Sequence, residues 1–133
     1  MDAAWEQAVR GADAEAVRAL LAQGTDIDSR DRYGQTALML AAHAGQREIV
    51  ETLIAHHANL NVTAKFGLSA LMLATVAGHE EIAILLGQSG ADLSLRGSGA
   101  LGFADKTAYD LALERNMQKL LKELAPKPEQ SGA

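Results

Sequence analysis

The residues to weigh first for metal or nucleophilic chemistry are four histidines and a few serines, because the chain has no cysteine. His56 and His57 are adjacent. Neighbours on a helix point about 100° apart, whereas a chelating pair needs the i, i+4 spacing that sets both rings on one face. His43 and His79 fall near turns, with no Asp at consistent ligand spacing. All four are expected to be turn or surface histidines, and no metal is expected. Ser69 lacks the Gly-x-Ser-x-Gly context of an exposed nucleophile. The run Gly97-Ser-Gly-Ala-Leu-Gly102 has the glycine content of a phosphate cradle. No Lys-Ser/Thr follows it and no buried strand precedes it, so it reads as an inserted loop. No catalytic residue and no cofactor are expected, and the chain is read as a non-enzyme.

With no reactive cluster, the organisation of the chain carries the argument, and that organisation is a repeat. Asp31-Arg-Tyr-Gly-Gln-Thr-Ala-Leu-Met-Leu-Ala-Ala-His-Ala-Gly45 returns 33 residues later as Ala64-Lys-Phe-Gly-Leu-Ser-Ala-Leu-Met-Leu-Ala-Thr-Val-Ala-Gly78. The second halves match as well: Glu48-Ile49 with Glu81-Ile82, Leu53 with Leu86, and Ala58-Asn59-Leu60 with Ala91-Asp92-Leu93. A backward step finds Gly24-Thr-Asp-Ile-Asp28. A forward step finds Thr107-Ala-Tyr-Asp-Leu-Ala112, but 38 residues on from Ser69. The five extra residues fall in the glycine-rich run, where insertions between stacked units belong.

Each unit reads as helix, turn, helix, loop. Thr36, Ser69 and Thr107 are helix-capping types placed before an apolar run, and Thr107 with Asp110 has capping-box spacing. Gly45 and Gly78 suit the left-handed residue that ends a helix. Second helices are expected near Arg47–His56 and Glu80–Ser89. Ile49, Val50, Leu53 and Ile54 form one buried stripe of the first of these. Gly24 and Gly90 close that helix in their units, while His57 stands in the same place in the middle unit and should strain its turn.

Thr36-Ala-Leu-Met-Leu-Ala-Ala42, Gly78-His-Glu-Glu-Ile-Ala-Ile-Leu-Leu86 and Ser89-Gly-Ala-Asp-Leu93 resemble the ankyrin repeat. The resemblance covers about residues 3–125. It implies an all-α fold, an ankyrin-repeat solenoid of stacked helix-turn-helix units with β-hairpin-like loops. Units are expected at about 1–30, 31–63, 64–96 and 97–125, with the first beginning inside a helix near Ala3 and a disordered tail over 126–133. The chain departs from the family in three ways. Ala37, Ala70 and Ala108 stand where proline is usual, Met39, Met72 and Asp110 where histidine is usual, and Asp105 where glycine is usual. Atypical end units read as caps. The run Met117–Leu124 mixes an apolar stripe with charges, as a terminal helix requires, and Trp5 is expected to cover the open N-terminal end.

Composition narrows the partners. Hydrophobic residues are 48% of the chain but aromatics only 4%, so the core must be built from Ala, Leu, Ile and Val. The formal net charge of −5 lacks the footprint of a nucleic-acid binder and disfavours anionic membranes. That balance suggests a partner protein with a basic face. No run approaches the roughly 20 apolar residues of a membrane span. Absence of cysteine and of a signal peptide at the start suits the cytoplasm, although a trimmed export signal would leave the same start.

In ankyrin stacks, the resemblance implies, loop tips and first-helix faces line a concave partner-binding groove. The matching positions are Arg32, Tyr33, Gln35 and His43 in the second unit, Lys65, Phe66, Leu68 and Val76 in the third, and Phe103, Lys106, Glu114 and Arg115 in the fourth. Tyr33, Phe66 and Phe103 are three of the chain's five aromatics. Beside Arg and Lys they have the composition of binding hot spots. The alternative is that they staple neighbouring loops together. The function expected is that of a monomeric, non-catalytic protein-binding module, with a small-ligand or metal-responsive module, or a detached domain of a larger protein, as the alternatives.

Overall fold

The computed structural model describes residues 1–99 and 102–125. The segment expected to be a disordered tail, 126–133, lies outside the described residues. The described chain forms eight α-helices: α1 Ala3–Arg10, α2 Ala14–Ala22, α3 Ala37–Ala44, α4 Arg47–Ala55, α5 Ala70–Val76, α6 Glu80–Gln88, α7 Ala108–Glu114 and α8 Gln118–Leu124. The odd-numbered helices pack in one row, α1 on α3 on α5 on α7, and each contacts its even-numbered successor. In the second row α2 pairs with α4 and α6 with α8. This is an all-α repeat solenoid.

Local chemistry sets the helix starts. The hydroxyls of Thr36, Ser69 and Thr107 accept from the backbone N–H groups of Met39, Met72 and Asp110, as the capping pattern predicts. Asp110 completes a capping box by accepting from the Thr107 N–H at 3.0 Å. The first unit differs from expectation. It does not begin inside a helix, because Asp2 caps α1 by accepting from the Ala4 N–H at 2.9 Å.

The core repeats as the sequence does. Trp5, Leu38 and Leu71, each 33 residues apart, are all essentially inaccessible. Burial of each such side chain stabilises by about 1.5–3 kcal/mol. Their counterpart in α7, Tyr109, is only half-buried. That register therefore faces the following unit, and Trp5 packs inside the stack rather than over its open N-terminal end. Val9, Ala42 and Thr75 form a second such register, fully buried, whereas their counterpart Leu113 is 51% exposed at the far end.

A row of side-chain acceptors joins the closing loops. Asp26, Asn59 and Asp92 each accept from the N–H two residues on. Asp28 then reaches the Asn59 N–H of the next unit at 2.8 Å, and Asn61 reaches the Asp92 N–H at 2.7 Å. The carboxyl of Asp92 is held below the usual carboxylate range by its bonds to the Ser94 hydroxyl and N–H.

Candidate partner-binding face

The hairpin-like loops that precede α3, α5 and α7 share one closing bond. Asp31 N–H donates to the Gln35 carbonyl at 2.8 Å, Ala64 N–H to Leu68 at 3.1 Å, and Gly97 N–H to Lys106 at 2.8 Å. The longer span of the last pair places the insertion inside that loop. Two further backbone bonds anchor its ends: Ser98 N–H donates to the Phe66 carbonyl at 2.7 Å and Asp105 N–H to the Gly97 carbonyl at 2.9 Å.

The second unit presents its tip outward. Asp31 Oδ1 accepts from the Tyr33 and Gln35 N–H groups, both at 2.9 Å, which fixes the turn and leaves the Asp31 side chain only 2% exposed. Tyr33 is thereby 64% exposed. The Arg32 guanidinium lies 5.2 Å from the centre of its ring, within cation–π range. His43 is exposed at the end of α3, and Gln35 is half-buried.

The third unit builds its turn differently. Ala64 stands in the place of Asp31 and offers no side-chain acceptor. Phe66 there adopts a left-handed conformation, with φ of 63°, which a bulky residue rarely takes. The contacts that hold it are the Ser98 bond and the Phe103 ring, 5.8 Å away and tilted by 43°. Phe66 and Phe103 are thus packed together, both half-buried, while Tyr33 stands free. Lys65 is exposed, with its ammonium 5.0 Å from the Phe66 ring centre. Val76 is half-buried. Leu68 corrects the sequence reading: it is 5% exposed and belongs to the core, because its side chain is apolar where the equivalent Gln35 is polar and half-buried.

In the fourth unit Lys106 pairs with Glu114, and Arg115 lies 3.7 Å from the same carboxylate. Asp110 sits behind them, half-buried; the Thr107 N–H bond holds its carboxyl below the usual range, helped by the Thr107 hydroxyl and by the charges of Arg96 and Lys106.

The three loops are joined along their length. Arg30 Nη1 reaches the Thr63 carbonyl at 3.4 Å, 33 residues away, and the Ser98 bond links the third loop to the fourth. Two residues of this strip escaped the sequence reading. Arg30 and Arg96 are both exposed and stand two repeat periods apart. That shared register was the signal that could have found them.

The other three histidines fall elsewhere. His56 Nδ1 is 2.8 Å from the Thr52 carbonyl, His57 sits in a left-handed turn with φ of 66°, and His79 bonds to the His43 carbonyl. Among the described residues no group of three His, Asp or Glu could hold a metal ion. Nor is any described helix long and apolar enough to cross a membrane. Ser69 is buried as a helix cap.

Comparison with known protein families matches residues 5–97 to ankyrin repeats, in three copies. Together with the stacked helix pairs, this places the chain in the ankyrin-repeat family. Ankyrin repeats are generally protein-interaction modules and typically non-catalytic. The pair α7–α8 lies beyond the matched span but packs on α5 and α6 in the same manner. A comparison with curated proteins returned no match.

Proposed function

We propose that this chain is a monomeric, non-catalytic module that binds one partner protein through its hairpin tips and the ends of its first helices. The face consists of Arg32, Tyr33, Gln35 and His43, then Lys65 and Val76, then Lys106, Glu114 and Arg115. Phe66 and Phe103 support it from below. On this reading residues 1–125 are one domain of four units, with α7–α8 as the closing cap.

The observation that carries the reading is Tyr33. A fold gains little from holding a phenol 64% exposed with an arginine stacked on it. Tyrosine and arginine are the residues most enriched, with tryptophan, among those that dominate binding energy. The loop beneath is fixed by Asp31, so little ordering cost is left for the moment of association.

The test is affinity capture from native extract. Wild type is compared with a Tyr33→Ala, His43→Ala variant shown to be folded and with Glu51→Ala on exposed α4. One protein captured by wild type and by Glu51→Ala, and lost from the double variant, supports the proposal. Equal capture by the double variant contradicts the face. Capture of nothing contradicts the binding role.

A further inference from the structure

The charge of this molecule is segregated. The chain as a whole is acidic, yet its hairpin strip is cationic. Arg30, Arg32, Lys65 and Arg96 are all exposed there, and among the described residues none of the four forms an ion pair. Arg30 and Arg96 donate instead to backbone carbonyls, of Thr63 and Asp105, and Arg32 and Lys65 lie over aromatic rings. Neither arrangement cancels a full positive charge. The acids nearby do little to offset it. Asp31, buried under its own turn, pairs with Arg10 at 3.4 Å, and Glu114 is engaged by Lys106 and Arg115. Asp105 is the one exposed carboxylate in these loops not engaged in an ion pair among the described residues.

The cations are also in register. Arg32-Tyr33 and Lys65-Phe66 occupy the same position of successive units, each pairing a cation with the aromatic that follows it. Helices packed side by side lie about 8–10 Å apart. A peptide in the extended polyproline II conformation rises about 3.1 Å per residue with three residues per turn, so side chains three apart share one face and span about one unit of the stack.

We infer that the strip recognises an extended acidic segment of a partner protein, with carboxylates spaced three residues apart so that successive ones meet Arg32 and Lys65. The inference rests on the protein-binding reading above and specifies the partner's charge, opposite to the basic face that the chain's net charge suggests. A nucleic acid fits less well. Its backbone would meet four free cations on a body that is otherwise acidic, including Glu48, Glu51 and Glu81 on exposed positions of α4 and α6.

The experiment is fluorescence anisotropy with a labelled peptide of about ten residues carrying Asp at every third position, the period of polyproline II. It is compared with a peptide of the same composition whose acids are contiguous, with its Asn counterpart, and with a single-stranded oligonucleotide. The protein variants are Arg32→Glu with Lys65→Glu, and the milder Arg32→Gln with Lys65→Gln, each shown folded by circular dichroism. The expected result is saturable binding of the spaced acidic peptide, weakened about tenfold or more by charge reversal and less by neutralisation. Binding should also fall as salt is raised. Contiguous acids and the Asn peptide should bind more weakly. No binding of the spaced peptide, equal binding by the reversed variant, or tighter binding of the oligonucleotide overturns the inference. If it fails while extract capture still depends on Tyr33 and His43, only the partner's charge is wrong. If both fail, the binding role falls with it.

Discussion

His79 Nε2 lies 3.1 Å from the carbonyl oxygen of His43, tying the start of α6 to the end of α3 across two units. The contact depends on Gly45. That residue ends α3 with φ of 79°, and a Cβ on it would lie 2.7 Å from His79 Cε1. Gly45→Ala should therefore lose both the left-handed turn and the histidine's seat. The expected cost is about 1–3 kcal/mol, read as a lower urea midpoint with unchanged slope. A midpoint equal to wild type would show that the inter-unit contact contributes nothing.

His57 offers the opposite experiment. It ends α4's turn at φ of 66°, where Gly24 and Gly90 stand in the neighbouring units. A non-glycine residue in that region costs about 1–2 kcal/mol. Part of this is offset by the greater freedom of an unfolded glycine. His57→Gly should raise the melting temperature by a few degrees, and Gly24→Ala should lower it. The strained turn is legible in the sequence itself, because the repeat aligns His57 with two glycines.

Much else was legible for the same reason. Period and capping residues located the helix starts at Ala37, Ala70 and Ala108, each one residue after its cap. What the repeat could not tell was which copies of a position differ in their surroundings. Tyr33 and Phe66 are equivalent in sequence, yet Asp31 beneath one turn and Ala64 beneath the other send the two rings to different places. Leu68 looked like a loop-tip residue because it is equivalent to Gln35, but its apolar side chain goes under the loop. Arg30 and Arg96 went unnoticed because the unit between them carries Thr63 at that register, which broke the pattern.

The capping box of α7 makes a pH prediction. The Thr107 N–H bond lowers the folded-state pKa of Asp110 below its unfolded value. Its contribution is thus present above the unfolded carboxylate value, about 3.9, and is lost as pH falls through the folded one. Asp110→Asn should lower the melting temperature at neutral pH and lose less of it than wild type on acidification to about pH 2. Thr107→Ala should cost about 1 kcal/mol. Parallel acid profiles for wild type and Asp110→Asn would contradict the assignment.

The Phe66–Phe103 pair should behave as a structural staple rather than as a binding anchor. A double-mutant cycle to Leu at both positions should give a coupling of about 0.5–1.5 kcal/mol in unfolding experiments. Partner capture should stay dependent on Tyr33. Zero coupling would mean that the rings, 5.8 Å apart, do not support one another.

The most direct test of the account is site-specific photo-crosslinking in the native cell, with a benzophenone amino acid placed at Tyr33 or, as a comparison, at Glu51 on α4. The account predicts one discrete crosslinked protein from position 33 and none of it from position 51. The same adduct from position 51, or no adduct from position 33, would contradict the hairpin tips as the binding face.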